Sequence, residues 1–398
     1  MDWIEDIVVC GAPMDEGAIK QIRNCRRFVE RAALMADHHK GYGVPIGGVI
    51  ASQETISPTA VGYDIGCGNK AVRTDASAED LRVGIGKIMD DVASQISFGL
   101  GRTANWKIDH ALFDSEAWRL RSIAPLKEMA RQQLGTVGGG NHYVDLFVDE
   151  AEQVWIGVHF GSRGLGHKTA TFYLEEAGAT SNDMDAEPAF LHERTSAGAD
   201  YIEAMKLAGE YAYAGRDAVC DKVLGILGAK EVESIHNHHN FAWKETHEGI
   251  DYWVMRKGAT PAFPGQRGFV GATMGEASVI LEGVDSPESK QLMYSTVHGA
   301  GRVMSRTQAK GKTNRKTGAL VLDADGKPVR QGAVSKEMML GAVKGVELRG
   351  GDVDEAPQVY KRLPEVLEQQ GATIRVLHRL TPIGVAMAPS ESFDPFKD

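Results

Sequence analysis

The sequence predicts an α+β fold, a single large unit of mixed α/β make-up spanning residues 1–398, with its active site built from loops that follow several strands. Three observations lead there. Short apolar runs with strand character recur along the chain without an internal repeat, and several lead into segments rich in glycine and potential ligands. One long stretch carries helical periodicity instead. Nowhere is a linker rich enough in Pro, Gly or Ser to separate two autonomous units, although 398 residues could accommodate two or three domains.

In chain order, residues 6–10, 154–158, 252–255, 279–281 and 374–377 read as strands. Residues 196–227 read as one helix, with Tyr201, Met205, Ala208, Tyr211 and Ala212 spaced to face a core. Residues 310–332 are polar and Gly-rich and read as an exposed loop, and residues 389–398 read as a tail. Cys10, Cys25 and Cys220 read as buried small hydrophobes.

Composition narrows the class of protein. The chain is 42% hydrophobic and 25% charged, with four Cys and a pI near 5.8. No basic segment followed by an apolar stretch opens it, and no run approaches the roughly 18 apolar residues of a membrane span. With no framework of cysteine spacings, the expected compartment is the reducing cytoplasm. A net charge of −10 argues against indiscriminate polyanion binding. Local charge differs: Arg302, Arg306, Lys310, Lys312, Arg315 and Lys316 fall between Gly299 and Ala319 with no acidic residue among them. Spacing of four would put Arg302 and Arg306 on one face of a helix.

The chemistry is concentrated in five segments, four of them carrying glycine: Asp64-Ile-Gly-Cys67-Gly, Gly-Gly-Gly-Asn141-His142, Val-His159-Phe-Gly-Ser-Arg163, His236-Asn-His-His239-Asn240 and His298-Gly-Ala-Gly-Arg302. A thiolate, several imidazoles and a carboxylate form a set that borderline divalent metals accept, and ligand softness alone points to zinc. A cysteine sulfur can touch two cations, so Asp64 and Cys67 could serve a metal pair of the kind used in phosphoryl chemistry. Residues three apart face opposite ways in a strand, so their convergence requires a bent loop, which Gly66 and Gly68 allow. The spacing is not that of a zinc ribbon. Glycine clusters at Gly138–Gly140, Gly271-Ala-Thr273-Met274-Gly275 and Gly299-Ala300-Gly301 could present amides to phosphates. No P-loop and no dinucleotide fingerprint is present, which disfavours P-loop ATPases and Rossmann dehydrogenases.

Over nearly its whole length the chain resembles the RtcB-type RNA ligases, or tRNA-splicing ligases. The likeness runs from Asp37-His-His39-Lys-Gly-Tyr-Gly-Val-Pro-Ile-Gly-Gly48 through the segments above to Arg256-Lys-Gly-Ala259, Met274-Gly275, His298-Gly-Ala-Gly-Arg-Val-Met-Ser-Arg306 and Asp354-Glu-Ala-Pro357. The resemblance implies two Mn2+ ions held by Asp64, Cys67, His142, His159 and His239. It implies GTP as the nucleotide and His298 as the residue that becomes guanylylated. GMP would then pass to an RNA 3′-phosphate and be displaced by a 5′-hydroxyl, a 2′,3′-cyclic phosphate first being opened by hydrolysis. Arg163, Lys257, Arg302 and Arg306 are the candidate clamp for reacting and RNA phosphates, and Asn141 and Asn240 would orient ligands or bind GTP phosphates. Thr273, Met274, Gly299, Ala300, Gly301 and the base contact Ser278 complete the nucleotide side. A small activator protein (archease) is a possible partner in this family; a membrane is not.

The departures gather at the guanine contacts. Asp145 stands where the family usually has Glu, Met387 where it has Lys, and Thr273 where it has Ser. Asp reaches one methylene less far, and Met carries neither donor nor charge. Two alternatives therefore accompany ligation: a ligase with altered nucleotide choice, and a two-metal phosphodiesterase or RNA end-processing hydrolase. An inactive RNA-binding or assembly protein is a third.

Overall fold

The structure, a computed structural model, describes residues 1–179, 183–312, 314, 320–323 and 325–389. The first half of the chain forms β1 (Asp2–Ile4), β2 (Ile7–Val9), α1 (Glu16–Arg26), β3 (Arg31–His39), β4 (Ile46–Ser52), β5 (Thr55–Ile56), α2 (Pro58–Val61), β6 (Gly68–Ser77) and α3 (Ala78–Gln95). There follow α4 (Lys127–Gln133), β7 (Tyr143–Val148), β8 (Gln153–Phe160), α5 (Arg163–Glu176), β9 (Leu191–His192) and α6 (Ser196–Leu227). Strands then dominate: β10 (Glu231–His238), β11 (Asn240–His247), β12 (Ile250–Lys257), β13 (Ala259–Pro261), β14 (Arg267–Val270) and β15 (Ser278–Gly283). The remainder is α7 (Pro287–Gln291), β16 (Ser295–Val297), α8 (Arg306–Lys310), α9 (Lys336–Ala342), β17 (Glu347–Gly351), α10 (Leu363–Gln370) and β18 (Ile374–Pro389).

Two sheets carry the fold. A six-stranded sheet runs β1-β2-β3-β4-β12-β11, and an eight-stranded sheet runs β10-β6-β8-β7-β18-β15-β14, with β17 pairing to β18. Each of the five strands expected from sequence is present, and the mixed α+β class holds. The last strand, expected at 374–377, extends to Pro389 because its second half, from Leu380 to Ala388, alternates little and is mostly buried between β7 and β17.

Helix α6 spans the residues its periodicity indicated, and at 1.5 Å per residue is about 48 Å long. Thr195 caps its first turn by accepting from the Gly198 amide, and Gly228, at φ +63°, closes its end. Tyr201, Met205, Ala208, Tyr211 and Ala212 are all buried, as are Cys10, Cys25 and Cys220. Helices α3 and α6 cover one face of the larger sheet over Val72, Val144, Ile156 and Val158, while Phe147, Trp155, Phe269 and Ile280 form a core on the other. The described part of 310–332 is largely exposed and folds back on itself, with Val321 donating to the Lys312 carbonyl and Val329 to that of Val321. Arg315, Lys316 and the tail beyond Pro389 lie outside the described residues.

Sheet order places the site. Gly68 pairs with both Phe160 and His238, and His159 with Tyr143. The start of β6, the end of β8, the start of β7 and the end of β10 therefore share one edge of four neighbouring strands. At that edge the chain passes from β10 through His239 into β11 of the other sheet, so the site sits on the seam between the sheets. Antiparallel order brings the chain to the edge both entering and leaving strands. Cys67 and His142 thus precede their strands, and His159 lies within one.

Candidate active site at the seam of the two sheets

The five proposed ligands meet. The Cys67 sulfur lies 3.3 Å from His159 Nε2 and 3.6 Å from His142 Nε2. His239 Nε2 is 3.1 Å from His159 Nε2, and Asp64 Oδ2 is 3.1 Å from His142 Nε2. Two sets of potential ligand atoms form around the shared sulfur, Cys67–His159–His239 and Asp64–Cys67–His142. His142 Nδ1 is buried without a hydrogen-bond partner, and Asp64 Oδ2 meets no donor other than the His142 ring and the Cys67 thiol. Buried polar atoms are rarely left so, and a coordinated cation would answer the deficit. The donor set fits a pair of divalent ions bridged by Cys67.

The local backbone explains the convergence. Gly66, at φ +70°, makes the bend that brings Asp64 and Cys67 to one side. A Cβ at Gly138 would overlap both His142 Nδ1 and the Arg163 guanidinium, so this glycine is needed for close packing around a ligand. Asn240 orients the His239 ring: its Oδ1 accepts from His239 Nδ1 at 3.2 Å and from the Gly258 amide at 2.8 Å. Because that oxygen can only accept, the His239 proton sits on Nδ1 and the Nε2 lone pair faces the cluster.

Electrostatics agree with ligand roles. Burial holds His159 and His239 well below the ordinary imidazole value, so both present neutral nitrogens. Burial would raise the Asp64 carboxyl, but His142 outweighs it and the value falls to about 2. Burial and then Asp64 push the Cys67 thiol well up, so it needs a cation to become a thiolate.

His298 stands beside this cluster, its ring centroid 4.8 Å from that of His239. Asp37, fully buried, accepts at one oxygen from His298 Nδ1 (2.6 Å), the His298 amide (3.0 Å) and the Gly299 amide (3.3 Å). Burial alone would raise Asp37, but the His298 ring and its hydrogen bonds hold it below the usual carboxylate range. A carboxylate on Nδ1 keeps the proton there and leaves the Nε2 lone pair free, the arrangement by which an aspartate orients a histidine in hydrolytic triads. Sequence reading quoted Asp37 within a motif but gave it no role. Its contact partner is 261 residues away, a separation no local pattern encodes.

The proposed cations occupy different environments. Lys257 is buried, donates to the Tyr42 carbonyl at 2.7 Å, and is lowered by burial to about 8. Arg163 begins α5 at φ +56°, a left-handed conformation costing about 1–2 kcal/mol for a residue with a Cβ, and contacts Thr136 Oγ1 and the Gly99 carbonyl. The expectation of one helical face for Arg302 and Arg306 is corrected, because α8 begins only at Arg306, behind the N-cap Ser305. Both guanidinium groups converge instead on Glu355, with Arg302 also on the Asp354 carbonyl and the Tyr360 hydroxyl and Arg306 on the Asp354 carboxylate.

The five proposed ligands, His298, Arg163, Lys257, Arg302 and Arg306 line one cavity of about 1090 Å³, with Asp37 behind His298 and outside the lining. Its wall includes Asn141, Asp145, Thr273, Met274, Gly299, Ala300, Gly301 and Met387, which the sequence had assigned to the nucleotide. Ser278 lies outside that lining and accepts from the Ala272 amide at 3.0 Å, bracing the turn that carries Thr273. Met387 pairs with Tyr143 and Val385 with Asp145 across β18 and β7. Burial pushes Asp145 well above the carboxylate range, and its Oδ1 has no partner; Thr273 Oγ1 and the Tyr143 hydroxyl are likewise buried and unpaired.

Sequence reading also missed Arg216 on α6. It is fully buried and holds the carbonyls of Gly66 and Phe160, which flank Cys67 and His159, together with the rings of His236 and His238. The signal was present: an arginine four residues after Ala212, on the buried face of an apolar helix.

Comparison with known proteins agrees with the motifs. The family "tRNA-splicing ligase RtcB" matches residues 18–122 and 119–388. The "RNA-splicing ligase RtcB" of Escherichia coli (strain K12) is 32% identical over 406 residues, covering 93% of this chain and 94% of its own. The "tRNA-splicing ligase RtcB" of Pyrobaculum aerophilum is 30% identical over 442 residues, covering 88% and 86%. The "RNA-splicing ligase RtcB homolog 1" of Entamoeba dispar is 30% identical over 439 residues, covering 89% and 78%. On a family match over most of its length and relatives of this identity and coverage, the chain belongs to the RtcB family.

Proposed function

We propose that this protein is an RNA ligase that joins RNA 3′-phosphate or 2′,3′-cyclic phosphate ends to 5′-hydroxyl ends, using GTP and Mn2+ through a nucleotidylated His298. The observation that carries the reading is a histidine fixed by Asp37 through Nδ1, with its ring 4.8 Å from a ligand of a Cys67-centred cluster. Asp64, Cys67, His142, His159 and His239 would hold two Mn2+ ions, which when bound supply positive charge to phosphoryl oxygens. His298 Nε2 attacks the α-phosphorus of GTP; an N–P bond forms, the bond to the β-phosphate oxygen breaks, and pyrophosphate leaves. Asp37 stabilises the positive charge the ring acquires. GMP is then transferred from His298 to an RNA 3′-phosphate, regenerating the imidazole, and the 5′-hydroxyl displaces GMP to form the phosphodiester. Arg163 and Lys257 would hold phosphates during these steps, and Arg302 and Arg306 would do so from their anchorage on Glu355 and Asp354.

The test is to incubate the protein with Mn2+ and α-labelled GTP, ATP or another nucleotide, then trap and map the adduct. Label on His298, abolished by His298→Ala, is expected; absence of label with every nucleotide rejects the mechanism.

A second reading, ligation with altered nucleotide choice, is favoured by Asp145 and Met387. Guanine offers two adjacent donors that suit an ionised carboxylate, whereas a buried neutral carboxyl offers one donor and one acceptor. No cation stands at position 387 to draw Asp145 into its charged form. Label from ATP equal to or exceeding that from GTP decides for it. An end-processing hydrolase would instead open cyclic phosphates at full rate without nucleotide and yield no joined product.

A further inference from the structure

The cavity exceeds the span of roughly 300–1,000 Å³ common for small-molecule sites, and one of its walls is used by none of the steps above. That wall comes from three elements. Tyr63 follows α2 and immediately precedes the ligand Asp64; His167 lies on α5 one turn beyond Arg163; Tyr42 and Lys40 come from the segment between β3 and β4. The rings of Tyr63 and His167 are stacked, with centroids 5.1 Å apart and planes inclined by 27°. Both are half-buried, so part of the pair remains open to the cavity they line. Tyr42 is 37% exposed, and Lys168, next to His167, is exposed on the same wall. Lys40 adds a second ammonium, held by Asp185 at 2.8 Å.

An aromatic pair at the rim of a phosphate-handling site, flanked by lysines, matches the chemistry of an unpaired nucleotide. Bases present a π-face whatever their identity, so an aromatic surface binds them with little sequence preference, while ammonium groups track the backbone. Adjacency sets the register. Tyr63 is one residue from Asp64, and His167 shares a helix face with Arg163, whose guanidinium packs against Gly138 beside His142. A strand with its terminal phosphate at Asp64 and His142 has its last base within reach of this pair.

We propose that the stacked Tyr63–His167 pair is the docking platform for the unpaired terminal base of the phosphate-bearing RNA strand. The proposal rests on reading the cavity as the ligation site. Tyr63 supplies the face, His167 holds that face in place from behind, and Lys40 and Lys168 receive the backbone. The protein therefore binds a single-stranded end at this position and discriminates weakly among bases.

The test is a cycle between side chain and base, read by fluorescence anisotropy with the full chain, Mn2+ and a short 3′-phosphorylated single-stranded RNA at fixed salt. The terminal nucleotide is either intact or abasic, and the protein is wild type, Tyr63→Leu or Tyr63→Trp. Removing the base is expected to weaken wild-type binding by roughly 5- to 150-fold, the range for one stacked base. Tyr63→Leu is expected to bind the intact RNA about as weakly as wild type binds the abasic RNA, with no further loss on removing the base. Tyr63→Trp is expected to keep the dependence on the base, and it decides the matter if Tyr63→Leu does not fold. Equal binding of intact and abasic ends by wild type, or losses that simply multiply in Tyr63→Leu, overturns the platform. Labelling of His298, measured without RNA, separates the two failures: label with base-indifferent binding removes the platform alone, whereas absence of label removes the ligase reading.

Discussion

His298 and Asp37 show how one contact sets both tautomer and charge. Asp37→Asn removes the negative charge that stabilises the imidazolium while keeping size and shape. Labelling of His298 is expected to fall by about 10²–10⁴-fold, by analogy with the loss of an orienting aspartate in a hydrolytic triad. The melting temperature is expected to change far less, and equal labelling of Asp37→Asn and wild type would remove Asp37 from the mechanism. Lys257 gives a pH test. Burial lowers its ammonium to about 8, so the residue carries its charge below that pH and loses it above. RNA affinity measured at constant ionic strength is expected to fall between pH 7 and 9 in wild type and to stay flatter in Lys257→Arg, whose guanidinium remains protonated. A steeper fall in Lys257→Arg would exclude Lys257 as a phosphate contact. The ligand residues were legible in sequence because they stand in unusual segments, most of them carrying glycine within two or three residues, and His239 in a run of three histidines and two asparagines. Asp37 was not, since only the fold brings β3 beside the turn after β16.

At the scale of elements, α6 was the most legible part, because its core residues repeat at helical spacing and its ends carry Thr195 and Gly228. What periodicity did not show is that this helix also holds the edge carrying the candidate ligands, through Arg216. Its guanidinium occupies the carbonyls of Gly66 and Phe160, at 3.0 Å for Gly66, and thereby sets the positions of Cys67 and His159. Replacing Arg216 with Met takes the guanidinium donor from the Phe160 carbonyl and leaves the Gly66 carbonyl with His238 Nδ1 alone, and a buried carbonyl that loses its donor costs about 1–3 kcal/mol. Arg216→Met is expected to lower the midpoint of thermal unfolding and to bind less Mn2+ at equilibrium, measured by elemental analysis after dialysis. Arg216→Lys can satisfy one carbonyl but not both with fixed geometry, so an intermediate metal content is expected. Full metal occupancy in Arg216→Met would show that the loop is held by its own glycine conformation and not by α6. The arginines after His298 teach the opposite lesson. Spacing of four suggested one helical face, yet Ser305 and Gln308 form a capping box that starts α8 only at Arg306, so their convergence on Glu355 comes from tertiary packing.

At the scale of the whole molecule, the site joins two sheets whose strands interleave in sequence. The smaller sheet supplies Asp37 from β3, and a two-stranded pair built on β13 and β16 supplies the turn that carries His298. The larger sheet supplies Cys67, His142 and His159, and His239 lies at the crossing from one to the other. Sequence could register the mixed class and the strands, but not the seam, because strand order such as β10-β6-β8-β7 is a long-range choice. The seam makes a prediction about metal removal. Ions bound there would tie together segments from residue 64 to residue 239, whereas the unfolded chain gathers no such ligand set. Binding to the folded state alone stabilises it by RT ln(1 + [L]/Kd), or about 2.7 kcal/mol at a hundredfold excess over Kd. Chelation of the purified protein is therefore expected to lower its thermal midpoint, and added Mn2+ to restore it in a concentration-dependent way. His298→Ala keeps every ligand and is expected to retain that metal-dependent shift while losing the label. Cys67→Ala removes the shared ligand and is expected to lose both. A midpoint that ignores chelator and metal in wild type would mean that the thiol, imidazoles and carboxylate meet for packing alone, and the two-metal reading of the seam would fall with it.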